Sequence, residues 1–267
     1  MLAQDRQRMI AGLIADQASV STVDLARQFQ VSVETIRRDL VALEEKGVLN
    51  RVYGGAVSIH RQRSAEPSFP ERMLLNREAK ERIGDLAARL ASPGETVFVD
   101  MGTTCSMVAR AMARSFRGTV VTPSLLVAQE LAEIPAEQIG TVLAPGHLRS
   151  GEWSVTGAAT STFLADIHYG TAFIGCGGID AEVGVTDFGF EDAQVKQCAV
   201  RNAAKTYVLA DSSKHGVVGS YSLMPWSEIH GLVTDTTPPR GLVRAIQEAR
   251  TRVYLPEQGH PGEESGG

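Results

Sequence analysis

The chain has 267 residues, 43% of them hydrophobic, enough for one large or two ordinary domains. A net charge of −5 gives no overall bias toward nucleic acid, and no apolar run approaches the roughly 20 residues that span a bilayer. Three cysteines, Cys105, Cys176 and Cys198, match neither a disulfide framework nor a zinc ligand set, and the histidines lack metal-ligand spacing, so no metal and no cofactor are expected. The total charge hides an asymmetry. Residues 1–65 hold nine of the 26 basic side chains and seven of the 31 acidic ones, which leaves 17 basic and 24 acidic for the rest. A slightly positive head on an acidic body predicts different partners for the two parts.

In chain order, "DRQRMIAGLIA" is interrupted by charge, so it reads as a helix with one buried face and not as a signal peptide; a soluble cytoplasmic protein is expected. "STVDLARQF" predicts a short second helix, with Ser21 and Asp24 spaced as a capping box. After the tight "QVS" connection, Ser32 can cap a third helix that runs to about Lys46 and ends at Gly47. "VLNRVYGGAVSI" reads as a hairpin turning at Gly54–Gly55. The aperiodic, proline-containing segment 58–70 is taken as a linker.

Beyond it, "ERMLLNREAKERIGDLAARLA" predicts one helix, closed by Pro93–Gly94. Seven strand-like runs follow: "TVFVD", "TVVT", "GTVLA", "TAFIGC", "TYVLAD", "HGLVTD" and "RVYL". Helical stretches such as "TCSMVARAMARS", "SLLVAQELAE" and "RGLVRAIQEA" separate several of them, which predicts an α/β domain with a mostly parallel sheet covered on both faces. The expected boundaries are a head of 1–57, the linker 58–70, a body of 71–255 and a disordered tail of 256–267.

On a wheel of ~100° per residue, Ile36, Leu40 and Leu43 form the core face of the third helix, Arg38 points away from it, and Arg37 lies on its flank. An outward arginine on an exposed N-terminal turn suits a major groove, where it can grip guanine bidentately, while Arg37 is placed for phosphate. The hairpin with Arg51, Tyr53, Gly54 and Gly55 would be a wing on the DNA backbone or minor groove. The alternative is a solvated face, with both arginines paired to Asp39, Glu34 or Glu44.

"TVDLARQFQVSVETIRRDLVALEEKGVLNRVYGGAV" resembles the N-terminal winged helix-turn-helix of the DeoR family of bacterial transcriptional regulators, through the pattern VSxxTIRRDLxxLExxGxLxRxxGGA. The resemblance implies operator DNA as partner, the helix with the arginine pair as recognition helix, and DNA contacts at Ser32, Thr35, Arg37, Arg38, Arg51, Gly54 and Gly55. Tyr53 stands where the family usually has histidine.

In the second half, Asp100-Met101-Gly102-Thr103-Thr104 joins a strand to a helix, a turn that aims backbone N–H groups at one point and suits an anion, although many α/β proteins use glycine there only to turn. GxxxxGK[ST] is absent, and "GCGGID" does not complete GxGxxG, so nucleotide-hydrolysing and dinucleotide sites are not expected. Lys196 and Lys214 could supply charges for a phosphate, and Asp100, Asp211 or Glu191 could accept from sugar hydroxyls. The order "DMGTT", "VTPS", "GHLRS", "GGID", "GVTD" and "ADSSK" is similar to the sensor domain of the same family, so the resemblance spans roughly residues 5–255.

That similarity implies a fold related to ribose-5-phosphate isomerase and CoA transferases, a phosphorylated sugar or related metabolite as effector, and a repressor of a carbohydrate-metabolism operon acting as a homodimer or homotetramer. It puts phosphate at Asp100, Gly102, Thr103 and Thr104, with Ser124, Gly178, Asp187, Glu191, Lys196 and Lys214 around the rest. Pro123, Pro145 and His215 depart from the family pattern. The competing expectation is a sugar-phosphate isomerase with a DNA-binding appendage, using Asp100, Asp187 or Glu191 as base; a regulator has no catalytic residues. Cys105, at the start of a helix, reads as a small buried side chain and not as a nucleophile.

Overall fold

A computed structural model describes residues 2–17, 19–52, 54–58, 61–62 and 66–256; Tyr53, much of the linker and the tail from residue 257 lie outside the described residues. The head is built from helices α1 (Ala3–Gln17), α2 (Thr22–Phe29) and α3 (Val33–Glu45), with strands β1 (Ser19–Ser21), β2 (Leu49–Val52) and β3 (Gly55–Ser58). Its core is Ile10, Ile14, Leu25, Phe29, Ile36, Leu40, Leu43 and Leu49, the apolar positions that the helical period selects. Ser21 and Ser32 cap α2 and α3 by accepting from the amides of Asp24 and Thr35. Gly47 has φ +67, as expected of a residue just past a helix end.

β2 and β3 form the expected hairpin, and β1, which the sequence reading did not include, pairs with β3. Gly55 is required by that pairing, because a Cβ there would lie 2.0 Å from the carbonyl oxygen of Val20.

In the connecting segment, β4 (Arg61–Gln62) runs parallel to β14 (Val217–Val218). The long helix expected over 71–91 is two helices, α4 (Phe69–Leu74) and α5 (Arg77–Ala88). Leu75 is extended, and Asn76 adopts a left-handed φ of +54, which asparagine tolerates better than most side chains. The break turns the Asn76 amide onto the carboxylate of Asp211, a contact that a continuous periodic pattern does not reveal.

The body then alternates: β5 (Thr96–Val99), α6 (Thr103–Ser115), β6 (Gly118–Thr122), α7 (Leu125–Leu131) and β7 (Ile139–Leu143). A small hairpin, β8 (His147–Arg149) and β9 (Ser154–Thr156), precedes α8 (Ala158–Ala165) and β10 (Tyr169–Gly175). Next come β11 (Gly178–Asp180), β12 (Gly184–Asp187), α9 (Phe190–Arg201) and β13 (Ala203–Leu209). After β14 and β15 (Tyr221–Met224), β16 (Gly231–Val233), α10 (Arg240–Glu248) and β17 (Arg252–Tyr254) complete the domain.

The seven runs read as strands are the seven strands of one sheet, in the order β17-β16-β13-β10-β5-β6-β7, and every pairing in it is parallel. Two apolar clusters cover its faces, one around Phe98, Ile174 and Leu232, the other around Val97, Val108, Met112 and Phe173. Buried on both sides, such strands are apolar throughout instead of alternating. From β5 the chain proceeds outward through β6 and β7, then returns to the other side of β5 at β10. The order therefore reverses between β5 and β10, and open α/β sheets form their crevice outside the carboxyl ends of strands at that point.

Candidate functional site

α3 meets the rest of the head through Ile36, Leu40 and Leu43, and through Asp39, whose carboxylate accepts from Arg6 Nε at 2.5 Å and Gln7 Nε2 at 3.1 Å. Asp39 is thus buried and unavailable to the arginine pair. Arg37 and Arg38 instead lie 3.6 and 3.8 Å from the two Glu34 carboxylate oxygens, with all three side chains more than 60% exposed. Exposed pairs of this kind contribute about 0–1 kcal/mol, so DNA phosphates or base edges can replace them. Ser32 and Thr35 join their hydroxyls at 2.8 Å on the same exposed first turn. On the wing, Arg51 donates from its backbone N–H and Nε to Glu44, and Gly54 has φ +84. Ser32, Thr35, Arg37 and Arg38 therefore share one end of α3, Arg51, Gly54 and Gly55 share the hairpin, and Tyr53 lies outside the described residues.

The second candidate is a cavity at the reversal point of the large sheet, about 70 Å³ in volume and so roomy enough for several waters. Its floor is the turn after β5. Gly102, at φ +106, occupies the N-cap of α6 and offers no side chain to the first N–H groups, so the helix end is open to an anion. Beneath it lies a buried ionic cluster. Lys196 Nζ donates to the Gly175 carbonyl at 2.9 Å and to Asp187 Oδ2 at 2.6 Å, and sits 3.1 Å from Asp100 Oδ2. Asp100 Oδ2 also accepts from the Gly175 N–H at 3.0 Å.

Burial raises the Asp100 pKa to about 6 against the pull of Lys196. Burial opposes the charge on Lys196 too, but the carboxylates of Asp100, Asp187 and Asp192 outweigh it and hold its pKa well above the usual lysine value. With its protons engaged by protein oxygens, Lys196 clamps the ends of β5, β10 and β12 together.

Other cations enclose the cavity. Lys214, on the 3₁₀ turn Ser212–Lys214, lies 3.5 Å from Glu66. Arg72 of α4 contacts Glu66 at 2.8 Å and Glu152, and its Nε is buried without a partner among the described residues. Lys80 of α5 donates to the Arg72 carbonyl at 2.5 Å, and burial lowers its pKa to about 8 while Asp211 opposes the shift. Arg149 pairs with Asp192, whose other carboxylate oxygen is buried and unpartnered, as is Ser154 Oγ. The lining thus keeps a spare donor in Arg72 Nε, a spare acceptor in Asp192 Oδ1 and the Ser154 hydroxyl, and Asp100 Oδ1 behind it is likewise buried without a partner among the described residues.

Of the residues expected there, Gly102, Thr103, Thr104, Asp187, Lys196 and Lys214 line the cavity, and Asp100 lies directly behind it. Ser124 caps α7 instead, Gly178 packs against Val217 where a Cβ would meet its carbonyl at 2.2 Å, and Glu191 is exposed and accepts from Thr156. Sequence reasoning missed Arg72, Asn76, Lys80, Arg149, Glu152 and Asp192. Asp192 and Lys196 lie four apart on α9, a spacing visible in the sequence once α9 is known to be a helix. Cys105 is fully buried, and burial raises its pKa well above the usual thiol value, so it is not an activated nucleophile.

Among the described residues no cluster of three or more His, Cys, Asp or Glu could hold a metal ion, and no helix is long and apolar enough to cross a membrane.

Family models match both parts of the chain. Residues 6–62 match the DeoR-like helix-turn-helix domain, and residues 75–236 match the DeoR C-terminal sensor domain. The chain is 30% identical to the HTH-type transcriptional regulator GolR of Listeria innocua over 96% of its own length and 100% of the relative's. It is also 30% identical to the glycerol-3-phosphate regulon repressor of Escherichia coli K12, with the same coverages, and 33% identical to the HTH-type transcriptional regulator GlpR of Haloferax volcanii, over 95% of the chain and 98% of the relative. Among solved structures, ribose 5-phosphate isomerase A of Methanocaldococcus jannaschii is similar at 17% identity and a TM-score of 0.38, over 54% of this chain and 55% of that one; nothing about chemistry follows from that likeness. A winged head with an exposed arginine pair, a parallel α/β body with a charged cavity at its reversal point, and full-length relatives lead to one assignment: this chain belongs to the DeoR family of DNA-binding transcriptional regulators.

Proposed function

We propose that the chain represses a carbohydrate-metabolism operon, and that a phosphorylated sugar or related metabolite in the cavity of the body sets its affinity for operator DNA. The observation that carries this reading is the open N-terminus of α6 facing Lys80, Lys214 and Arg72 in one cavity, in a chain whose other end is a winged helix-turn-helix. The phosphate would take the amides and the hydroxyls of Thr103 and Thr104 and the cationic side. Sugar hydroxyls would donate to the unpartnered oxygen of Asp192 and accept from Ser154 and Arg149. The relatives named above include a glycerol-3-phosphate regulon repressor, which supports a small phosphorylated polyol.

In the head, Arg38 would read bases, while Arg37, Ser32, Thr35 and the wing residues Arg51, Tyr53, Gly54 and Gly55 would hold the backbone or its minor groove. Residues 1–57 are the DNA-binding part, 58–70 the connection and 71–255 the sensing and assembling part, active in the cytoplasm as at least a dimer, because paired heads on two half-sites multiply a weak single affinity. A non-enzymatic role is supported by the carboxylates an isomerase would need. Asp187 engages both carboxylate oxygens with Lys196 and the Phe188 N–H, Asp100 lies behind the cavity instead of lining it, and Glu191 is exposed outside it, so none of the three stands free over a bound substrate carbon.

The test is a thermal-shift screen of phosphorylated against unphosphorylated sugars. A ligand at 100 times its Kd stabilises by about 2.7 kcal/mol. Only phosphorylated compounds should shift the melting temperature, and Thr103→Ala or Lys214→Ala should erase the shift. Equal shifts from unphosphorylated sugars would overturn the phosphate assignment.

A further inference from the structure

The cationic side of the cavity already holds an anion that belongs to the chain. Glu66 stands eight residues after the last residue of β3, on the segment that leaves the head, and it lines the cavity with Pro67. Its carboxylate Oε1 lies 2.8 Å from Arg72 and 3.5 Å from Lys214, and the three side chains are only 13–17% exposed. Downstream the chain is fixed at once. Ser68 donates from its backbone N–H and its hydroxyl to Glu71, closing the capping box of α4. Among the described residues no backbone hydrogen bond holds Glu66 or Pro67. Besides the pairing of β4 with β14, the side chain of Glu66 is therefore what fastens the chain upstream of that box to the body, and it does so by satisfying cations that a phosphate would also seek. Arg72 keeps a buried, unpartnered Nε on the same guanidinium, so the site has donors to spare for a second, more highly charged anion.

Resting on the sensor reading above, we propose that Glu66 is an internal competitor for the phosphate of the effector: in the unliganded protein its carboxylate occupies the Arg72–Lys214 end of the cavity, and a phosphorylated ligand displaces it, so that the segment leading to the DNA-binding head loses one of its two anchors on the body among the described residues and keeps only the β4–β14 pairing. Binding in the body and the attachment of that segment are then alternatives at the same two cations, and this provides a physical link by which each ligand can change the affinity of the other. A dianionic phosphate carries more charge and more acceptor oxygens than a carboxylate, which is why it can win the exchange.

The experiment uses the full-length protein, inorganic phosphate as probe, and the Glu66→Gln and Lys214→Ala variants. Phosphate affinity is read by calorimetric titration, and backbone hydrogen exchange is read by mass spectrometry over peptides covering β4 and β14, whose pairing is the hydrogen-bonded part of the connecting segment. The proposal expects Glu66→Gln to bind phosphate at least fivefold more tightly than wild type, and Lys214→Ala to bind it weakly. In wild type, phosphate should speed exchange at the β4–β14 pairing; in Glu66→Gln, exchange there should already be fast and unresponsive. If wild type and Glu66→Gln bind phosphate equally, and Lys214→Ala does not, the competitor is overturned while the sensor reading stands. If none of the proteins binds phosphate, both fall, because removing the competitor should have exposed the site.

Discussion

Single side chains in both sites are set by what surrounds them. Asp39 and Arg38 are neighbours on α3, yet one is buried against Arg6 and the other stands in solvent beside Glu34. Arg38 therefore has little protein interaction to lose when it enters a groove. Arg38→Ala should weaken operator binding by about 1–3 kcal/mol and relax sequence choice at one position, as read by gel-shift titration against operator variants. A uniform loss across all variants would instead make it a phosphate contact.

Lys80 is a second case. Burial lowers its pKa to about 8, so the fold favours the neutral amine. The charged form costs stability below pH 8, and that cost disappears as pH rises through about 8 toward the unfolded value. A bound phosphate favours the charged form and so draws in a proton. Affinity for a phosphorylated ligand should hold near pH 7 and fall as pH rises above about 8, and calorimetry in buffers of different ionisation heat should show proton uptake there. Lys80→Met should flatten that dependence.

Elements are tied at the cavity by ions more than by apolar contact. Lys196 brings α9 onto the ends of β5, β10 and β12 through Asp100, the Gly175 carbonyl and Asp187. Replacing it leaves two carboxylates beneath the Gly102 turn without their cation. Breaking a buried ionic cluster on one side costs about 3–5 kcal/mol. Lys196→Met should therefore lower the unfolding free energy of the body by that amount, read as a urea midpoint that falls by the loss divided by an unchanged m-value. A loss below about 1 kcal/mol would mean that the carboxylates are protonated or solvated in the fold.

The cluster also explains why α9 is hard to read as a helix. Its buried face carries Asp192 and Lys196 beside Ala193, Val195 and Ala199, so the apolar period that marks α6 or α10 is broken where site residues occupy inward positions. The break between α4 and α5 has a similar origin: Asn76 leaves the helical region and reaches Asp211.

At the scale of the molecule, head and body have separate cores, around Ile36 and Leu40 in one and around the seven-stranded sheet in the other. Two cooperative units should unfold in two calorimetric transitions. A saturating phosphorylated ligand should move only the body's transition, upward by roughly 5–10 °C for its size. A single transition that shifts as a whole would show the head docked firmly on the body.

Much of this architecture is local in origin and so was legible in the sequence. The capped helices of the head, the glycine hairpin and all seven strands of the main sheet follow from periodicity, caps and turns within a few residues. The phosphate-suited turn at Gly102 was legible for the same reason. The sequence alone could not supply the far side of the cavity. Glu66, Arg72, Lys80, Arg149, Glu152 and Asp192 come from the connecting segment, α4, α5, the β8–β9 hairpin and α9, far apart in the chain, and converge at one cavity. Nor could it distinguish residues that face the cavity from residues of the same type that cap or pack nearby, such as Ser124 and Gly178. Local pattern determined which backbone forms where, because hydrogen bonding and apolar spacing act over a turn or a strand. Which charges meet was decided by tertiary structure, because an ion pair depends on distance in space and on the burial that only packing creates.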